Sequence, residues 1–243
     1  MNQNKLKSPD SQNDSSEEHM PFLIELGKLV NKLVHDVRNP IGAIKGFTTL
    51  LQKDLEDQPK LHSMADNILM ATESLESLVT RVLEYSRPLK LTLTNVDFVL
   101  LIKQVCKEYS EKNDENWALK VEIKPETLVF PFDMIRMKDA LHHLLQNAVE
   151  SMPEGGNITL ALEVEGDYAV IRIEDQGAGI SEEDLEQIWT PFFTTKRNAK
   201  GFGLPITKKI IKGHQGELEL EKNGTQGTRA IVKLPLTGGK DGS

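Results

Sequence analysis

A chain of 243 residues, 38% hydrophobic and 27% charged, has the composition of an ordinary globular protein and is long enough for one large packed domain or two modest ones. A formal net charge of -8 and a pI near 5.4 exclude direct nucleic-acid binding through a basic surface, which needs Lys and Arg clustered against phosphates. The lone cysteine, Cys106, can form neither an internal disulfide nor a metal cluster, so a reducing cytoplasmic setting is expected. No apolar run approaches the roughly 20 residues of a membrane-spanning helix, and no segment has the pattern of a secretory signal.

Residues 1–20 are polar and almost free of apolar side chains, which predicts a flexible lead-in where an input domain would attach. Residues 21–90 then predict a helical hairpin. In its first helix Leu26, Val30, Leu33, Val37, Ile41, Ile44, Leu51 and Leu55 recur at helical spacing on one face, until Asp57-Gln58-Pro59 breaks the pattern. In the second, Leu61, Met64, Ile68, Ala71, Leu75, Leu78, Val82 and Tyr85 alternate three and four apart, a heptad seam that stops before Pro88. Two helices with one seam each enclose no core alone. A homodimer forming a four-helix bundle satisfies the pattern, as does a hairpin docked on the rest of its own chain.

Residues 91–237 change character. Asp97 can cap a helix carrying Phe98, Leu101, Ile102, Val105 and Tyr109, Leu119 to Lys124 alternates like a strand, and Asp133 opens another helix. Strands are expected at Ile158–Glu165 and Tyr168–Asp175, a helix from about Leu204, and a closing strand pair at Glu217–Glu221 and Thr228–Pro235. The fold class is therefore α followed by α/β: a dimeric helical hairpin, then an α/β sandwich with a mixed sheet. Residues 238–243 are expected to form a flexible tail.

The first helix carries Leu33-Val34-His35-Asp36-Val37-Arg38-Asn39-Pro40. A neutral imidazole is a competent nucleophile near pH 7, and a neighbouring carboxylate can orient it and take the proton it loses. Asn39 shares the His35 face one turn on. A histidine beside an aspartate on a helix is more often an ordinary solvated face when those two residues are taken alone.

Further along, Asn147 follows His143 by four residues on the helix opened by Asp133, and its amide oxygen suits Mg2+. Asp175 points to the same side as Ile171 and Ile173, and a carboxylate facing inward needs a donor. Gly177 and Gly179 let the backbone approach a flat ligand, so Asp175 could accept from an adenine amino group. Lys200-Gly201-Phe202-Gly203-Leu204-Pro205 runs into a helix, with Gly201 and Gly203 freeing backbone amides for an anion such as triphosphate. Each of these is also a common turn or surface pattern when read singly. Between Pro191 and Lys200 lies a polar, basic segment with Lys196 and Arg197, expected to form a mobile lid.

Together these segments resemble the two-component sensor histidine kinases. His35-Asp36-x-Arg38-Asn39-Pro40 within a heptad hairpin is similar to the H-box of their dimerisation and phosphotransfer domain. The Asn147 helix, Asp175–Gly179, Pro191–Lys196 and Gly201–Leu204 resemble in order the N, G1, F and G2 boxes of their ATPase domain, and Gly224–Thr228 the last glycine box, with Thr228 near adenine. Residues 147–156 look like the nitrogen-regulation branch. The resemblance implies ATP-dependent phosphorylation of His35 with Mg2+, transfer to an aspartate of a response regulator, and a reverse phosphatase activity with Asn39 positioning water. Asp36 stands where glutamate is more usual, His143 where a second asparagine often contacts the metal region, Pro205 for a glycine, and His214-Gln215-Gly216 for His-Gly-Gly. His143 is thus an uncertain metal ligand. Two rivals remain: another enzyme on the ATPase fold, which would lack the H-box hairpin, and a docking module that binds nucleotide without phosphorylating itself.

Overall fold

The computed structural model describes residues 15–112, 116–196, 200–224 and 226–237, without the side chains of 15–33, His35 and Lys112. It divides into two compact units, one ending at Pro88 and the other beginning at Leu89.

The first unit is a hairpin of α1 (Ser15–Asp54) and α2 (Pro59–Ser86). Helix α1 already includes residues 15–20, which composition had placed in a flexible lead-in; residues 1–14 lie outside the described residues. Pro59 sits in the first turn of α2, where its missing N–H costs nothing, and Pro88 follows the last turn.

The line each helix buries is offset from the expected stripe, of which only Ile41 is buried among the described side chains. Val34, Ile41 and Thr48, seven residues apart, are buried in the hairpin, as are Ala65, Thr72 and Leu83 of α2. The two buried threonines return their hydroxyls to the carbonyls of Ile44 and Ile68, each at 2.7 Å, so neither hydroxyl is stranded. Arg38 to Thr80 and Lys45 to Glu76 stitch the rim. The second line, Val37, Ile44 and Leu51, is 42%, 48% and 53% exposed. On α2 the expected seam residues Leu61, Met64, Ile68 and Leu75 are exposed as well. The side chains of Leu26, Val30 and Leu33 lie outside the described residues.

In the second unit, β1 (Thr94–Asp97) leads into α3 (Phe98–Lys112), β2 (Trp117–Ile123), β3 (Val129–Phe132) and α4 (Met134–Glu150). The chain continues through β4 (Gly156–Glu165), β5 (Tyr168–Glu174), α5 (Glu182–Gln187), α6 (Gly203–Gly213), β6 (Glu217–Lys222) and β7 (Thr228–Pro235). The five-stranded sheet has the order β2-β4-β5-β7-β6, parallel between β2 and β4 and antiparallel elsewhere, while β1 and β3 form a separate antiparallel ribbon.

Period-two alternation turns Ile158, Leu160, Leu162, Ile171, Ile173, Ala230, Val232 and Leu234 to one face, where Phe98, Ile102, Met137, Leu141, Leu145 and Ile210 cover them. Each such large side chain contributes about 1.5–3 kcal/mol by leaving water. Asp133 caps α4 by accepting from the Arg136 N–H at 3.0 Å. Asp97 ends β1, and its Oδ1 accepts from the amides of Val99 (2.9 Å) and Leu128 (3.1 Å), capping α3 and holding the loop before β3. The β1–β3 ribbon and the short α5 were not anticipated. No described helix is long and apolar enough to cross a membrane.

Candidate functional site

Asp175 follows the last residue of β5 and is only 5% exposed. The Gly177 N–H (2.9 Å) and the Thr228 N–H (3.1 Å) both donate to its Oδ1. Among the described residues both of these donors meet the same oxygen. The Asp175 N–H in turn donates to the Thr228 carbonyl at 2.9 Å, so the end of β5 and the start of β7 form one rigid corner.

Two glycines are required by close approach. A Cβ on Gly177 would lie 2.2 Å from Ser151 Oγ at the end of α4, and one on Gly227, where φ is +97°, would lie 2.1 Å from the Asp175 carbonyl oxygen. Gly179 (φ +74°) and Gly201 (φ +70°) also occupy the left-handed region, whereas a Cβ on Gly203, the first residue of α6, would meet nothing among the described residues.

Ser151 thereby docks the end of α4 onto the corner, and Asn147 lies one turn earlier. The Asn147 amide nitrogen is buried and has no hydrogen-bond partner among the described residues. A buried donor of this kind costs about 1–3 kcal/mol unless an acceptor reaches it, which fits an anionic ligand. Lys196 donates to the Asn147 carbonyl and pairs with Glu150, both at 3.1 Å, so the described part of the expected lid is tied to α4. Residues 197–199, including Arg197, lie outside the described residues. Phe192, exposed, packs edge-on to the buried Phe202 at 4.7 Å, and its N–H donates to the Gly201 carbonyl.

Helices α4 and α6 run side by side. His143 Nδ1 faces Thr207 Oγ1 at 3.4 Å. At the far end, buried His214 takes the Asp133 N–H on Nε2 (2.9 Å) and donates from Nδ1 to the Ile210 carbonyl (2.8 Å). Burial pushes the His214 imidazole below its ordinary pKa. Burial works the other way on the Asp133 carboxyl, but the amides of Arg136 and Thr92 outweigh it and hold the group below the usual range.

Among the sequence candidates, Asp175 thus meets Gly177 and Thr228, Gly179 approaches Gly227, and Lys196 meets Asn147 one turn before Ser151. Ser151 and Asn223 were missed; Asn223 donates to the Asp175 carbonyl at 3.1 Å. The remaining candidates, His35, Asp36 and Asn39, lie on α1. Asp36 and Asn39 are exposed, and the side chain of His35 lies outside the described residues.

Residues 132–238 match the model of the histidine kinase-, DNA gyrase B- and HSP90-like ATPases, and residues 25–89 that of the His Kinase A phospho-acceptor domain. The catalytic domain of the histidine kinase ThkA is 34% identical, with a TM-score of 0.56 over 60% of this chain and 97% of that one. ThkA in complex with the response regulator protein TrrA is 32% identical, with a TM-score of 0.67 over 94% of this chain and 68% of that one. The chain belongs to the two-component histidine kinase family. Sporulation kinase D of Bacillus subtilis (strain 168) is 30% identical to this histidine kinase over 96% of the chain and 46% of its own length. The curated relatives first matched are longer, and the chain spans between 29% and 51% of their lengths.

Proposed function

We propose that this chain is a histidine kinase core: ATP bound in the second unit donates its γ-phosphoryl group to His35, which passes it to an aspartate of a response regulator. The observation that supports this reading is a pair of buried groups in the second unit: the carboxylate of Asp175, whose partners among the described residues meet at Oδ1, and the amide nitrogen of Asn147, which has no acceptor among them. An adenine amino group suits the first and a phosphate oxygen the second.

In this reading Gly177 and Gly179 admit the base, Thr228 holds Asp175, and Lys196 and the amides at Gly201 and Gly203 receive the phosphates. The amide oxygen of Asn147 is the residue that would hold Mg2+; His143 suits it less, because that ion prefers hard oxygen ligands. When bound, Mg2+ supplies charge neutralisation on the phosphates. A ring nitrogen of His35 attacks the γ-phosphorus as the bond to the ADP oxygen breaks, and Asp36 orients the ring and takes its proton. Asn39, one turn on, positions water for the reverse, phosphatase reaction on the regulator.

The open apolar line Val37, Ile44, Leu51 with Leu61, Met64, Ile68 supports a homodimeric four-helix bundle, because a seven-residue repeat left in water needs a second copy to cover it. Residues 21–90 are the dimerisation and phosphotransfer part, and 91–237 the ATP-binding part. A single cysteine, which can form no internal disulfide, supports a cytoplasmic placement. Residues 147–156 support the nitrogen-regulation branch.

Incubating the purified chain with ATP labelled at the γ- or the α-phosphorus tests the reaction. Label retained from the γ position alone is expected. Label from the α position, or none despite measured ATP binding, contradicts it.

A further inference from the structure

We infer that Arg229 and Asn223 are positioning residues that set the nucleotide-base specificity of this kinase, acting on Asp175 from the opposite face of the sheet. The inference rests on the assignment of Asp175 as the adenine acceptor.

Arg229 lies across from Glu174 on β5 and from Glu221 on β6 in the strand register, so one guanidinium spans three adjacent strands. Its Nε donates to Glu174 Oε1 at 2.6 Å and its Nη1 to Glu221 Oε1 at 2.8 Å. Its Nη2 reaches Asn223 Oδ1 at 3.4 Å. Asn223 is then fixed at both ends: its side-chain amide donates to the Asp175 carbonyl at 3.1 Å, and its backbone N–H donates to the Gly227 carbonyl at 3.1 Å.

Alternation places Glu174 and Arg229 on the open face of the sheet and their chain neighbours Asp175 and Thr228 on the covered face. The charged triad therefore does not touch the nucleotide locus. It clamps the β6–β7 connection so that Gly227 seats against the Asp175 carbonyl and the Thr228 amide meets Oδ1, which fixes where the second oxygen of Asp175 stands. A carboxylate accepts from the amino group of adenine, whereas guanine presents a carbonyl oxygen at the corresponding edge, an acceptor facing an acceptor. Discrimination thus depends on how firmly Asp175 is held. A loosened carboxylate swings aside for guanine and loses part of its bond to adenine.

The test is the ratio of ATP to GTP dissociation constants, measured calorimetrically on the full chain for the wild type, Asn223→Ala and Arg229→Lys, with thermal unfolding recorded for each. Lysine keeps the positive charge between Glu174 and Glu221 without the three-pronged fork. Asn223→Ala is expected to weaken ATP about tenfold, the worth of one well-placed hydrogen bond, while GTP affinity is held or improved. Arg229→Lys is expected to shift the ratio the same way by a smaller factor. A ratio unchanged in both variants, or ATP and GTP weakened equally, overturns the inference, since a merely structural role lowers both alike. If Asn223→Ala unfolds, Arg229→Lys decides alone. A wild type that binds ATP no better than GTP contradicts the assignment of Asp175 itself, and so separates that failure from failure of the clamp.

Discussion

The two units bury their apolar residues by different means. In the α/β unit the inward faces of β4, β5 and β7 are sealed by α3, α4 and α6, and side chains such as Phe98, Ile102, Met137 and Ile158 reach zero exposure within one chain. In the hairpin, α1 and α2 cover only one of two seven-spaced lines each, using small residues such as Ala65 and Thr72, and leave Ile44, Leu51, Met64 and Ile68 in water. The first kind of core is complete in a single copy, whereas the second is half of something. On the proposed function, a phosphoacceptor helix built that way would make the acceptor part dependent on assembly and leave the nucleotide part independent of it.

The contrast breaks most visibly at the open heptad line. Ile44→Lys with Ile68→Lys sets charges into the seam and is expected to cost about 4 kcal/mol or more of association, so sedimentation equilibrium should give the monomer mass while the α/β unit melts unchanged. Gly227→Ala attacks the other unit: its Cβ would overlap the Asp175 carbonyl oxygen, and a loss of about 3 kcal/mol is expected in denaturant unfolding of the α/β unit, with the dimer intact. Asp175→Asn keeps the shape and replaces an acceptor oxygen, and should weaken ATP binding by about 2 kcal/mol, roughly thirtyfold, with little change in melting temperature.

Acid sharpens the comparison further. His214 is held neutral in the fold, with a pKa below the 6.5 it regains on unfolding. The unfolded chain therefore binds the extra proton as pH falls below about 6.5, and the α/β unit should lose stability over that range by at most about 1.4 kcal/mol per pH unit. The depressed carboxyl of Asp133 acts in the same direction only near and below 3.8, where the unfolded chain takes up that proton while the folded carboxyl stays ionised. Urea titrations at pH 7 and pH 5 should show the slope, and His214→Gln should flatten it. The smallest effect is expected from Lys196→Ala, about threefold in ATP affinity, because its pairing with Glu150 is partly exposed.

What the sequence made legible follows from which signals are local. The alternation of β4, β5 and β7 and the glycines that follow Asp175 are written in consecutive residues, and the structure forms strands and a tight turn there. The β1–β3 ribbon was illegible because Val129-Phe130-Pro131-Phe132 has no polar alternation and carries a proline that speaks against a strand. Which line of each hairpin helix is buried within the chain, Val34, Ile41 and Thr48 on α1 and Ala65 and Thr72 on α2, depends on the partner helix, which periodicity alone does not name. Ser151 and Asn223 escaped for the same reason: both act across register, on Gly177 and on the Asp175 carbonyl, and nothing in their own neighbourhood marks them.

The most direct test of the central claim is to label the wild type and His35→Gln with γ-labelled ATP and Mg2+, and to follow the label through acid and base. The account predicts label that is acid-labile and base-stable on the wild type and absent from His35→Gln, with ATP binding equal in the two. Acid-labile label persisting in His35→Gln would contradict it.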